Sequence, residues 1–251
     1  MEKLYFASDY MEGAHQNIID KLNETNYCHT VGYGLDEYST SAKERIRKIC
    51  ECPQAEVEFL VGGTQTNATV IAAILRSYQG VIAASSGHIS THEAGAIEFC
   101  GHKVLTLASQ YGKLNANEIQ CFLEDFNRDG NHEHMVMPGM VYISQPTESG
   151  TLYSLNELTA ISAVCHKYNI ALYVDGARLA YALACNENNV SLKDLARLTD
   201  VFYIGRTKGC FNVYFVQWNS IVKSRLARDD YLFMHNCNQS FLILFYIKLI
   251  Y

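Results

Sequence analysis

From residue 56 onward the chain alternates short apolar runs with stretches of helical, amphipathic spacing, and this alternation limits its fold more than any other feature. Apolar runs fall at 57–61, 80–84, 103–107, 140–144, 171–174 and 200–204. Between them, residues 66–78 read as a helix with Val70, Ile71, Ile74 and Leu75 inward. Residues 115–127 read as another, with Ile119, Phe122, Leu123 and Phe126 at helical spacing, and residues 155–168 as a third. Two earlier helices are predicted at 15–26 and 38–50, the second with Ala42, Ile46 and Ile49 on its apolar side, separated by a Gly-rich turn at 31–35. The pattern predicts an α/β three-layer sandwich, a mainly parallel central sheet covered by helices on both faces. Ligands of such sheets gather at the carboxyl ends of the strands.

Composition narrows the partners. A chain of 251 residues can bury the core of one large domain, or at most two. A formal charge of −6 gives no electrostatic reason for a nucleic-acid partner, although a local site can still take a small anion. The nine cysteines are odd in number and scattered, with only a C-x-C at Cys50 and Cys52, which fits free thiols in a reducing compartment. The opening residues lack the basic and apolar segments of a secretory signal. Residues 240–251 are very apolar, yet a span needs ~20 such residues, so no membrane role is expected and a cytoplasmic protein is.

Four strand ends carry groups that are costly to bury without a purpose. Gly62 and Gly63 lie between a strand and a helix, where backbone N–H groups can meet an anion and Thr64 can add a hydroxyl; a tight turn with Thr64 as helix cap is the plainer reading. His88, in GHISTHE, offers a flat ring that can stack and move protons. His88, His92 and Glu93 do not form an H-E-x-x-H pattern, and no metal is expected. In LYVDGARLA an apolar strand ends in Asp175, with Arg178 three residues on; a carboxylate there can keep a ring nitrogen protonated, or the pair can simply cap the next helix. Lys208 follows the last apolar run between Gly205 and Gly209; a nearby cation and desolvation would make its amine nucleophilic, while a lone loop lysine is usually solvated. An anion cradle, a stacking ring, a carboxylate and an amine, in this order, are what pyridoxal 5′-phosphate requires.

The succession FASDY, VGYGLDEY, FLVGGTQTN, GHISTHEAGAIE, GMVYISQPTESGTLYS, LYVDGARLA and DVFYIGRTK resembles the threonine aldolase branch of the aromatic-amino-acid β-eliminating lyase family, from about residue 6 to residue 208. The resemblance implies the aspartate-aminotransferase-like fold of pyridoxal-phosphate-dependent transferases. It implies that Gly63, Thr64 and Gln65 bind the cofactor phosphate, that His88 stacks on its ring, that Asp175 pairs with the ring nitrogen, that Arg178 contacts the ring oxygen and that Lys208 bonds the cofactor. Ser8 resembles a contact for the substrate carboxylate, and His134 falls near a family histidine close to the substrate, although an exposed loop histidine beside His132 is an equal reading. The implied reaction is aldol cleavage of L-threonine or L-allo-threonine to glycine and an aldehyde. The base for the β-hydroxyl proton would be His88, His134 or water. A β-eliminating amino-acid lyase and a non-catalytic cofactor-binding remnant are the alternatives. The partners implied are a small amino acid and further copies of the chain, as a homodimer or homotetramer.

After Lys208 the resemblance stops. Arg206 stands where the family pattern has a glycine, and aromatic residues are dense from 211 to 251. The expected division is therefore a cofactor-binding large domain at 1–209 and a non-family tail at 210–251 in place of a missing C-terminal small domain. The tail reads as out-of-frame or foreign sequence, or else as a divergent segment that packs as a strand and a helix, with residues 213–216 as the strand. Loss of the small domain would remove a carboxylate anchor, expose apolar surface and impair activity.

Overall fold

The computed structural model describes residues 13–205 and the backbone of the strand Asn212–Val216. Seven strands form one sheet: β1 (Glu56–Leu60), β2 (Gln79–Ala84), β3 (Val104–Leu107), β4 (Met137–Ser144), β5 (Ala171–Asp175), β6 (Val201–Ile204) and β7 (Asn212–Val216). Their order is β1-β7-β6-β5-β4-β2-β3. The β2–β3, β2–β4, β4–β5 and β5–β6 pairs are parallel, and β7 runs antiparallel to both β1 and β6. The mainly parallel sheet is thus as expected. The boundary expected at 209/210 falls just before β7, so the backbone of 212–216 shares a sheet with β1 and β6. Residues 217–251, with the apolar stretch at 240–251, lie outside the described residues.

Around the sheet lie α1 (Gln16–Thr25), α2 (Glu37–Ile49), α3 (Gly63–Ile74), α4 (His88–Thr91), α5 (Ala96–Phe99), α6 (Ala116–Arg128), α7 (Leu155–Lys167), α8 (Leu179–Ala184) and α9 (Leu192–Leu198). Strand residues alternate between two cores, as their two-residue period requires. Ile82, Val141, Ile143, Leu172, Val174 and Phe202 pack with Ile46 of α2, Ile119 and Leu123 of α6, Leu158 and Ile161 of α7 and Leu195 of α9. The intervening Val81, Ala83, Met140, Tyr142, Tyr173 and Tyr203 pack with Val70, Ile71 and Ile74 of α3, Ile89 of α4 and Ile97 of α5. Each core lies between the sheet and one outer helix layer of the expected sandwich.

Helix starts differ between the two sides. Asp36 caps α2, and the Asn115/Glu118, Ser154/Glu157 and Ser191/Asp194 pairs form capping boxes on α6, α7 and α9. On the other side, α3, α4 and α5 each follow a glycine, Gly62, Gly87 or Gly95, that makes no side-chain cap. Two sequence expectations shift. The helix expected at 66–78 starts at Gly63 and ends at Ile74, because the glycine turn is itself the first turn of the helix. Ile49 is half exposed, and Cys50 takes the inward position at the end of α2 instead. No described helix is long and apolar enough to cross a membrane.

Candidate functional site

The carboxyl edge of the sheet gathers chemistry on the side of α3. Asp175 ends β5 opposite Ser144, which ends β4, and is 3% exposed. Its Oδ1 accepts the Ala177 backbone N–H at 2.9 Å; its Oδ2 accepts the Asn67 amide at 3.2 Å and the Tyr142 hydroxyl. Asn67 lies in the second turn of α3 and is itself fully buried. The Tyr173 hydroxyl donates to Asn67 Oδ1 at 2.6 Å, so the Asn67 Nδ2 faces the carboxylates. That same Nδ2 donates to Glu93 Oε1 at 2.6 Å, and Glu93 Oε1 also pairs with His88 Nδ1 at 2.8 Å. A continuous network therefore runs from the end of β5 through α3 to the first residue of α4.

Protonation follows from these surroundings. Burial first, and then the negative charge of Asp175, push the phenols of Tyr142 and Tyr203 well up, so both remain neutral. The hydrogen bond that His88 donates to Glu93 raises the His88 pKa; burial opposes it, and the charges of Glu93, Glu148 and Asp175 add to the rise.

Around the network stand the other expected residues. Gly62 precedes α3, and a Cβ built there would meet nothing within 4 Å. The amino terminus of this 12-residue helix is open, with Thr64 and Gln65 exposed. Thr64 is not its cap, since Gly62 occupies that position. The Gln65 side-chain carbonyl accepts the Val61 N–H at 3.0 Å and so closes the turn from β1. Arg178 precedes α8 and pairs with Glu148 at 3.5 Å. Ser86, Gly87, Tyr142, Ser144 and Glu148 line a small recess beside them. The turn after Asp175 is pressed against the end of β6. Gly205 N–H donates to Gly176 O at 2.7 Å, and a Cβ on Gly176 would lie 1.9 Å from Tyr203 O. Lys208 is three residues beyond Gly205 in sequence; Lys208 and Ser8 both lie outside the described residues.

The structure thus brings together the α3 start, His88, Asp175 and Arg178. It does not bring His134 to them within this chain. His134 is exposed in the 3-10 turn His132–His134, before β4 begins. At ~3.3 Å per residue, the strand Met137–Ser144 separates the two edges of the sheet by about 23 Å. Sequence reasoning does not reach Asn67, Tyr142 or Tyr173, and it touches Glu93 only in asking about a metal. The available signal is an asparagine on the apolar side of α3 and a tyrosine in each of three otherwise largely apolar strands. Among the described residues no group of three or more His, Cys, Asp or Glu side chains is placed to hold a metal ion.

This donor set suits pyridoxal phosphate: an open helix start with room at Gly62 for a phosphate, a half-buried imidazole for a ring face, and a buried carboxylate already held by three donors. Comparison with known proteins points the same way. The chain is 35% identical over 208 residues to the low-specificity L-threonine aldolase of Pseudomonas aeruginosa, covering 81% of this chain and 58% of that protein. It is 35% identical over 184 residues to the enzyme of that name from a Pseudomonas species, covering 71% and 51%. It spans a little over half the length of these curated relatives. A threonine aldolase structure from Leishmania major superposes with a TM-score of 0.82 at 43% identity, covering 90% of this chain and 65% of that one. An aromatic aminotransferase from Pyrococcus horikoshii, at 16% identity and a TM-score of 0.65, shares the fold. Members of this family depend on pyridoxal phosphate. The model of the beta-eliminating lyase family matches residues 6–213, and the chain belongs to that family.

Proposed function

We propose that this chain cleaves β-hydroxy-α-amino acids, L-threonine and L-allo-threonine among them, to glycine and an aldehyde. The observation that carries this reading is the convergence of the α3 start, His88, Asp175 and Arg178 on one sheet edge, in a chain similar to named threonine aldolases. When bound, pyridoxal phosphate supplies an electron-withdrawing ring that accepts the electron pair released as the Cα–Cβ bond breaks. The backbone donors at Gly63 and Thr64, with Gln65 beside them, hold the phosphate. Asp175 keeps a positive charge on the ring nitrogen, and Arg178 contacts the ring oxygen. His88 covers the ring face and takes the β-hydroxyl proton, and Lys208 provides the amine that bonds the cofactor. Ser8 meets the substrate carboxylate.

We further assign the protein to the cytosol, on the strength of seven described cysteines that are all free thiols. Assembly as a homodimer or homotetramer is supported by α1, which buries no residue, and by the exposed Tyr27, Val31, Tyr33 and Leu35 beside it. The experiment is a product assay on the full chain loaded with pyridoxal phosphate. Glycine and acetaldehyde in equal amounts from L-threonine are expected. Pyruvate and ammonia from an amino acid, without glycine, would establish β-elimination instead, and cofactor binding without product would establish a non-catalytic protein.

A further inference from the structure

Glu93 is the carboxylate of the buried network without a role so far, and its burial is the hardest to explain by packing alone. Its side chain is 0% exposed. Oε1 carries two hydrogen bonds while Oε2, also buried, has no hydrogen-bond partner among the described residues. A carboxylate in that position costs stability that an apolar residue of the same size would not. The two partners of Oε1 are therefore the reason to look further. One is His88 Nδ1, at 2.8 Å. The other is Asn67 Nδ2, which spans Glu93 and Asp175 at 2.6 and 3.2 Å while Tyr173 fixes the orientation of the amide.

We propose that Glu93 is the positioning residue for His88, keeping the ring proton on Nδ1 so that Nε2 is the nitrogen that meets the reacting hydroxyl, and that the Asn67 amide couples this histidine to Asp175. The identity of the hydroxyl rests on the aldol-cleavage reading; the linkage between His88, Glu93, Asn67 and Asp175 does not. Nδ1 engaged by a carboxylate leaves one tautomer of the neutral ring, with its lone pair on Nε2. The Asn67 amide supplies hydrogen bonds to two carboxylates but no charge, so the charge of Asp175 bears on the imidazole as well. The charged and titratable groups around His88 are Glu93 after α4, Glu148 after β4 with Arg178 paired to it, Asp175 at the end of β5 and His92, whose ring lies 5.6 Å away. The first three act in one direction, toward the protonated ring.

The test is an NMR titration of His88 in the cofactor-free full chain, alongside the pH profile of glycine release by the loaded chain. Glu93→Gln keeps an acceptor oxygen and removes the charge. The His88 titration then moves to lower pH, because the anion that favoured its protonated form is gone, and the acid limb of kcat/KM moves with it. In the same variant kcat falls about 100-fold, at the low end for a general base, and KM stays within about threefold. Glu93→Asp retains the charge and returns the titration toward that of the unaltered chain. An unmoved His88 titration in a Glu93→Gln protein that melts normally overturns the proposal. If Glu93→Gln does not fold, Asp175→Asn gives the same reading through the Asn67 bridge, a shift to lower pH, and no shift overturns the coupling. A shifted titration in a chain that releases no glycine upholds the linkage and overturns the aldolase reading instead.

Discussion

On the face of the sheet that packs against α2, α6, α7 and α9, the strands present Ile82, Val141, Ile143, Leu172, Val174 and Phe202. On the face toward α3, α4 and α5, the intervening residues of β4, β5 and β6 include Tyr142, Tyr173, Tyr203 and Asp175. The helices follow the same division. Those over the aliphatic face are mostly closed by side-chain caps, whereas those over the tyrosine face start on uncapped glycines. A single set of strands thus serves two purposes. Its aliphatic side is bound by dispersion and area removed from water, which is tolerant of exchange among apolar residues. Its tyrosine side is a hydrogen-bonded group in which each partner holds the next, and which loses more when one partner is left unpaired.

Paired substitutions on β5 sharpen that contrast. Asp175→Asn leaves the side-chain volume nearly unchanged but removes the charge and one of two acceptor oxygens, and is expected to lower glycine release by about 10²–10³-fold with about 1–3 kcal/mol of stability lost. Three residues away on the other face, Leu172→Ala is expected to cost about 2–5 kcal/mol of stability by denaturant unfolding, while the folded fraction keeps its activity per molecule. If Leu172→Ala destroyed turnover without loss of stability, the division between the faces would fail. The smallest effect is expected from Tyr173→Phe, which removes the donor to Asn67 Oδ1 and leaves the ring in place. About 1 kcal/mol of stability should go, and the freed amide should loosen the link between Glu93 and Asp175, read as a smaller shift of the His88 titration than Glu93→Gln gives.

How much of this the sequence discloses follows the range of the interactions. The two-residue and 3.6-residue periods locate the strands and the long helices to within a few residues, since burial of one side of an element is a local pattern. The helices α4, α5, α8 and α9 are four to seven residues long, too short for a period to show. Strand β7 enters the sheet between β6, the strand just before it in sequence, and β1, far earlier in the chain, and no local pattern names that second neighbour. Asp175, His88 and the Gly62 turn are legible because each stands at the end of an apolar run. Asn67 is not, because its partners Glu93, Tyr173 and Asp175 are 26, 106 and 108 residues away. His134 shows the opposite case. It stands shortly before a strand whose carboxyl end belongs to the site, yet the length of β4 sets it at the opposite edge of this chain's own sheet.

The central claim is that the tyrosine face, together with Lys208 beyond β6, is a pyridoxal-phosphate site. Its most direct test is the visible absorbance of the full chain after addition of the cofactor and removal of the excess. The unaltered chain is expected to retain a band that free pyridoxal phosphate lacks, and Lys208→Ala to lose it. A Lys208→Ala protein that keeps the band, or an unaltered chain that never acquires one, would contradict the account.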